Sequence, residues 1–452
     1  MFGKRNIAGI LSLLIFLSAH SISAAETPLS LSEKQHEEQQ CLTETGNIIS
    51  WLKSDSGSID RSGWSASLNQ ALSNEKLDSV KAMLSNYGKL TRSDKIQSMG
   101  GAHRFSTRIH YQKSDVLLFS LCDSRGDLSG FRIIPAQESD KKTMSPDFRI
   151  KDVIIPGEKG APPLNATVLL PSQKIRAVSV LIPGSGATDR NETQGEVAPF
   201  LDLANGLASA GIASVRFDKR TLSSPGSFIG KAYAPEDEVI DDAVTAARYI
   251  ASEQGVDGAP LLLIGHSQGG VFIARIASRL KNDVSGLILL ATPADADIAL
   301  RAVRQLHTLQ RAFPANHAKY EAQIEALNGQ INNWQAHKTQ GIDTPPYPFH
   351  LPASYLASLE TINPTDEVRR LGLPTLVMQG GQDYKVLEED YHRWQQALSP
   401  LGERARFKFY PALDHNFMNI KQRAEHPQFS DVVIKDIIEW VRAVPKKQPT
   451  LS

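Results

Sequence analysis

One short segment constrains the fold of this chain more than any other. Leu261-Leu262-Leu263-Ile264 is a continuous apolar run, Gly265-His266-Ser267-Gln268-Gly269 follows it directly, and a helical pattern begins at Gly270. A strand that turns at once into a helix around a serine predicts a sharp corner. Gly265 and Gly269 lack the Cβ atoms that would collide there, and the serine oxygen is lifted above the edge of the sheet. An ordinary tight turn is the plainer reading, but it needs neither the strand before nor the helix after. A strand that is apolar throughout also calls for a sheet covered on both faces.

The rest of the chain from about residue 148 agrees. Strands at Val153 to Ile155, Ala166 to Leu170, Ala177 to Ile182, Ile212 to Phe217, Leu287 to Leu290, Thr375 to Met378 and Ala405 to Tyr410 alternate with helical patterns, among them Phe200 to Ala210, Glu236 to Ser252 and Val432 to Val441. Such alternation predicts an α/β fold, a mostly parallel sheet with helices on both faces. Between Pro293 and Leu373 about 80 residues replace a short crossover. Ile324, Leu327, Ile331 and Trp334 are spaced 3-4-3, so this block, about 294–372, reads as a helical cap inserted into the domain, with Pro345-Pro346-Tyr347-Pro348 breaking it. Residues 26–145 follow other periods. Leu68, Leu72, Val80, Met83, Leu84 and Tyr87 argue for amphipathic helices, and Thr107 to Tyr111, Val116 to Leu121 and Leu128 to Ile134 for a strand meander, together a small α+β module. The catalytic domain then occupies 146–445.

Residues 1–25 stand apart. Lys4 and Arg5 precede an apolar run from Ile7 to Ala19 that is too short to span a bilayer, and Ser23-Ala24-Ala25 offers a cleavage site. This is the pattern of a secretory signal peptide, and nothing later resembles a membrane span, so the expected location is the periplasm or the cell exterior. The remaining cysteines, Cys41 and Cys122, are the only possible intramolecular pair in that oxidising setting. Two separately buried thiols are the alternative. With 49 basic and 49 acidic residues in 452 and no long run of one sign, the chain lacks the charge pattern of a nucleic-acid binder.

A serine is a poor nucleophile until a base takes its proton and a third group orients that base. Asp383, in Gly380-Gly381-Gln382-Asp383, lies just beyond one strand, and His415 follows another through Pro411-Ala412-Leu413-Asp414. Both fall at strand carboxyl ends, where open α/β sheets build their sites. His426 and His392 compete for the base, and Asp295 and Asp414 for the acid, while His266 reads as a packing residue. Charge that develops on a carbonyl oxygen needs backbone donors. Gln268 N–H is one, and Ser185 N–H, in the loop Pro183-Gly184-Ser185-Gly186, is the expected second. Asp189-Arg190-Asn191-Glu192 and Asp218-Lys219-Arg220 lie on the same edge, either as ion pairs between loops or as substrate contacts. No metal-ligand, dinucleotide or phosphate-loop pattern is present, so no cofactor or metal is expected.

As a set, Pro183-Gly184-Ser185-Gly186, Asp189-Arg190-Asn191-Glu192-Thr193, Phe217-Asp218-Lys219-Arg220, the Ser267 pentapeptide, Gln379-Gly380-Gly381-Gln382-Asp383 and Leu413-Asp414-His415 resemble the exported bacterial α/β-hydrolases of the dienelactone-hydrolase-like or prolyl-oligopeptidase-like kind. Residues 45–135 resemble, more distantly, the cystatin- or NTF2-like module that precedes the hydrolase in some members. The resemblance implies the α/β-hydrolase fold, a Ser267-His415-Asp383 mechanism through an acyl-enzyme, and hydrolysis of small carboxylic esters. A peptidase or amidase, or an acyltransferase, would use the same residues. A non-catalytic scaffold is disfavoured by the intact candidate triad. The small module has no acid/base constellation, and binding or homo-oligomerisation is its expected role.

Overall fold

A computed structural model describes residues 31–54, 58–98, 104–123, 125–136, 147–158, 160–194, 197–224, 227–228, 231–339, 347–419 and 428–444. The proposed signal peptide, His426 and Pro345-Pro346 lie outside them. The chain divides into two compact units, residues 1–143 and 144–452.

The first unit sets helices Leu31–Lys53, Ala66–Ala71 and Asn74–Ser85 beside an antiparallel sheet of β1 (Leu90–Ser93), β2 (Gln97–Ser98), β3 (Arg104–Tyr111), β4 (Asp115–Cys122) and β5 (Leu128–Ala136). The order is β1-β3-β4-β5, with β2 also on β3. Ser65 and Ser73 cap the two short helices, their hydroxyls accepting from the N–H groups of Leu68 and Lys76. Residues along β4 alternate between buried and half-buried, as in a strand covered on one face. Its inward Val116 and Leu118 share a core with Ile48, Trp51, Leu68 and Leu77. Cys41 and Cys122 form a disulfide with Cα atoms 5.8 Å apart. One turn along the same helix, Thr45 Oγ1 lies 2.6 Å from Ser120 Oγ, a second tie to β4.

The second unit has an eight-stranded sheet: β6 (Phe148–Ile155), β7 (Leu164–Pro171), β8 (Ala177–Ile182), β9 (Ile212–Phe217), β10 (Leu261–His266), β11 (Val284–Leu290), β12 (Thr375–Gly380) and β13 (Ala405–Tyr410). Its order is β13-β12-β11-β10-β8-β9-β7-β6. Only β7 runs against its neighbours. Every residue of β8, β9, β10 and β12 is buried. Successive side chains on a strand face opposite ways, so Val180, Leu263 and Val377 enter one core with Val244, Ile276 and Trp394, while Leu181, Ile264 and Met378 enter another with Phe200, Leu203 and Ile437. β6 starts at Phe148, ahead of the expected Val153, because its first half carries exposed polar residues on an edge strand and does not read as apolar.

After β8 the chain steps to β9 on one side, then crosses to β10 on the other. The strand order therefore reverses between β8 and β10, and the crevice beyond their carboxyl ends is the expected ligand position in an open α/β sheet. This is the α/β-hydrolase fold. Among the described residues, four α-helices run between β11 and β12, Ile298–Ala312, His317–His337, Ala353–Glu360 and Pro364–Leu371. Ile324, Leu327 and Trp334 of the second are buried and Ile331 half-buried, and Trp334 forms a small core of its own with Tyr347 and Leu356. The fourth helix returns to the main core through Val368.

Candidate active site

Ser267 sits at the corner between β10 and the next helix with φ 50° and ψ −121°, a strained conformation for any residue but glycine. The neighbouring glycines are required by contact. A Cβ on Gly265 would lie 2.6 Å from Gly270 Cα, and one on Gly269 would lie 2.3 Å from the Ile182 carbonyl oxygen. The corner is held to the sheet by Ser267 N–H donating to Leu290 O at 2.8 Å.

Two loops at the same edge carry Asp383 and His415. They are stitched together by Gly381 N–H to Tyr410 O at 2.8 Å and Gln382 N–H to Leu413 O at 2.9 Å. Asp383 Oδ2 lies 2.8 Å from His415 Nδ1, and Gln379 Nε2 donates to the same oxygen at 3.1 Å. Asp383 Oδ1 accepts the N–H groups of Lys385 and Val386 at 2.7 and 2.9 Å. Burial alone would raise the Asp383 pKa, but the His415 contact and the two backbone donors outweigh it and hold the carboxyl below its ordinary value. Burial lowers the His415 pKa, and the Asp383 charge only partly restores it. The lowered pKa favours the neutral ring, and the carboxylate beside Nδ1 favours the tautomer whose proton is on that nitrogen, leaving Nε2 as an acceptor.

Gly184, at the end of β8, lies against the corner: a Cβ there would be 3.2 Å from Ser267 Cβ. Ser185 follows, exposed. Gly184 N–H donates to Glu192 Oε1 at 2.6 Å. The other oxygen of Glu192 is 2.6 Å from His266 Nδ1, and both side chains are buried. His266 Nε2 donates to the His415 carbonyl at 3.0 Å, and the two imidazole rings lie 4.7 Å apart. His266 does pack against Phe200, but it also bridges the Gly184 loop to the His415 loop. Burial opposes charge on both Glu192 and His266. Their mutual attraction prevails, lowering the Glu192 pKa and raising that of His266. Glu192 itself has φ 52°. Sequence reasoning missed this pair because each residue lay inside a motif that already had another explanation.

The competing residues are accounted for elsewhere. His392 is exposed and lies near Glu388 and Gln395. Asp295 is held by Arg304 and Arg393, each at 2.7 Å. Asp414 Oδ1 accepts from Asn416 and Met418 N–H, shaping the turn that presents His415. Arg190 pairs with Asp218 through two side-chain hydrogen bonds of 2.9 and 2.7 Å, joining the two charged loops. Among the described residues no group of three or more His, Cys, Asp and Glu is arranged to hold a metal ion, and no helix is long and apolar enough to cross a membrane.

A family model described as Serine aminopeptidase, S33 matches residues 192–449. Esterase EstD of Thermotoga maritima is 30% identical over 391 residues, which cover 82% of this chain and 87% of EstD. Among solved structures, a thermostable carboxyl esterase from Bacillus coagulans matches with 18% identity and a TM-score of 0.45, covering 65% of this chain and 98% of its own. A Pyrococcus furiosus esterase matches with 12% identity and a TM-score of 0.42, covering 66% of this chain and 92% of its own.

Proposed function

The chain belongs to the serine aminopeptidase S33 family of α/β-hydrolases, and from that premise we propose that it is an exported serine hydrolase acting on small carboxylic esters. The carrying observation is the strained Ser267 corner beside the Asp383–His415 pair on one sheet edge. Ser267 Oγ attacks the ester carbonyl while His415 Nε2 takes its proton. Asp383 stabilises the imidazolium that forms, and the N–H groups of Ser185 and Gln268 receive the oxyanion. Collapse returns the proton to the departing alcohol and leaves an acyl group on Ser267. Water, activated by His415, releases the acid.

Ester rather than peptide hydrolysis is supported by the likeness to EstD across both units. An aminopeptidase must also hold a free ammonium group beside the serine. The buried carboxylates of Glu192 and Glu238 are each engaged already, by His266 and by Lys219. Export is supported by the amino-terminal pattern and by the Cys41–Cys122 bridge, which suits an oxidising compartment. Ser267→Ala should abolish p-nitrophenyl acetate turnover and fluorophosphonate labelling with the circular-dichroism spectrum unchanged. Surviving labelling would refute the nucleophile, and faster turnover of aminoacyl p-nitroanilides than of esters would refute the substrate class.

A further inference from the structure

The loop that carries Ser185 is fixed by a buried charge with no part in the chemistry above. The Gly184 carbonyl accepts from Lys219 Nζ at 3.0 Å. The peptide joining Gly184 to Ser185 is planar and trans, so its C=O and the Ser185 N–H point in opposite directions. The ammonium that fixes the carbonyl thus fixes the line along which Ser185 N–H donates. Lys219 is 1% exposed, and its Nζ lies 2.6 Å from Glu238 Oε1. Glu238 projects from a single π-helical turn, Glu236–Ile240, a local widening that re-aims side chains. Its second oxygen accepts the Tyr355 phenol, and the phenol oxygen accepts from Gln268 Nε2 at 3.3 Å. Burial, together with the Glu238 charge, keeps the Tyr355 proton in place well beyond the ordinary range, so the phenol remains a donor.

The chain of contacts runs from Gly184 through Lys219, Glu238 and Tyr355 to Gln268. One end is the carbonyl of the peptide that carries the Ser185 N–H, the other is the side chain of Gln268, the residue whose backbone N–H is the second donor, and Tyr355 belongs to helix Ala353–Glu360 of the cap. Neutralising a buried lysine explains the Lys219–Glu238 contact alone. It does not explain why the network ends on the oxyanion loop at one side and on the residue after the nucleophile at the other.

We propose that Lys219, Glu238 and Tyr355 are positioning residues that aim the two oxyanion donors and couple the cap to that aim. The inference rests on the assignment of Ser185 and Gln268 made above. None of the three is required to touch substrate, so their loss weakens transition-state binding while leaving ground-state binding intact. Removing an oxyanion donor outright costs on the order of 100- to 1000-fold in kcat, and a mis-aimed donor costs part of that.

Tyr355→Phe keeps the ring that packs on Tyr233 and removes only the hydroxyl. Lys219→Met combined with Glu238→Gln removes the charge pair together and avoids stranding one buried ion. For each, kcat and KM on p-nitrophenyl acetate are measured per active site titrated with a fluorophosphonate, together with the Ki of a trifluoromethyl ketone, whose serine adduct carries an oxyanion. We expect kcat to fall about 10-fold in Tyr355→Phe and about 10- to 100-fold in the double variant, with Ki rising by the same factor and KM within about twofold. Unfolded protein lowers the titrated fraction and leaves the per-site values untouched. Unchanged kcat and Ki per site in Tyr355→Phe would overturn the inference, as would a KM effect without a kcat effect. Activity surviving in Ser267→Ala would instead overturn the reading beneath it.

Discussion

Asp383→Asn tests the Asp383–His415 pair at the level of a single proton. In the native site Oδ1 accepts two backbone N–H groups, from Lys385 and Val386, while Oδ2 faces His415 Nδ1 and Gln379 Nε2. An asparagine must put its oxygen on one side and its NH2 on the other. With NH2 on the Oδ1 side, two backbone donors lose their acceptor, the buried Val386 N–H at about 1–3 kcal/mol and the part-buried Lys385 N–H at less. With NH2 on the Oδ2 side, only Gln379 Nε2 is opposed, and it retains the carbonyls of Gly380 and Val386 at 3.2 and 3.0 Å. The second arrangement wins. The introduced amide then donates to His415 Nδ1, which drives the imidazole proton to Nε2, the atom that must accept from Ser267. The wrong tautomer costs about 10⁴ in kcat, roughly 5.4 kcal/mol, with KM nearly unchanged. Steady-state kinetics on p-nitrophenyl acetate measures it, with Asp295→Asn as the control, because that carboxylate is engaged by Arg304 and Arg393. Asp383→Asn retaining more than a tenth of wild-type kcat would refute the reasoning, as would Asp295→Asn losing as much.

Two further outcomes follow from the same geometry. Because burial lowers the His415 pKa and the neutral ring is the active form, kcat/KM should rise with pH through a midpoint below about 6.5 and stay level from about 7 to 9; a midpoint above 7 contradicts it. Cys41→Ser with Cys122→Ser opens a loop of sequence separation 81 and should cost the first unit about 4.5 kcal/mol, or roughly three decades of hydrogen-exchange protection at the amides of β4. A loss below tenfold would show that the bridge constrains little.

The strands β8, β9, β10 and β12 are legible in the sequence because a strand buried on both faces leaves a short, mainly apolar run, ended here by Pro183-Gly184, Asp218, Gly265 or Gln379-Gly380. The candidate residues Ser267 and Asp383 are legible for the same reason, since each stands just after such a run, whereas His415 follows the partly exposed edge strand β13 through a four-residue loop. The charges behind them are not. Lys219 and Glu238 look like solvated loop and helix residues, and Glu192 like a capping group, yet all three are buried. Their partners lie far away in sequence: Glu238 meets Tyr355 across 117 positions and Gly184 meets Lys219 across 35. Periodicity reports what a segment does with its own faces and carries no register between segments.

One signal was nevertheless available. Glu238 directly precedes Val239-Ile240, and Lys219 follows the mainly apolar β9, all of whose residues are buried, by two residues, so each charge abuts a buried stretch. A buried lysine or glutamate costs several kcal/mol unless it is paired, so two such charges on neighbouring elements imply each other. That inference runs from energetics rather than from pattern. It leads to the same edge of the sheet as the serine corner, where irregular backbone after β8 and β10 leaves peptide groups for side-chain charges to hold. The residues hardest to read from the sequence are thus those that aim the backbone donors, because a backbone N–H carries no residue identity and its orientation is visible only through the groups that constrain it.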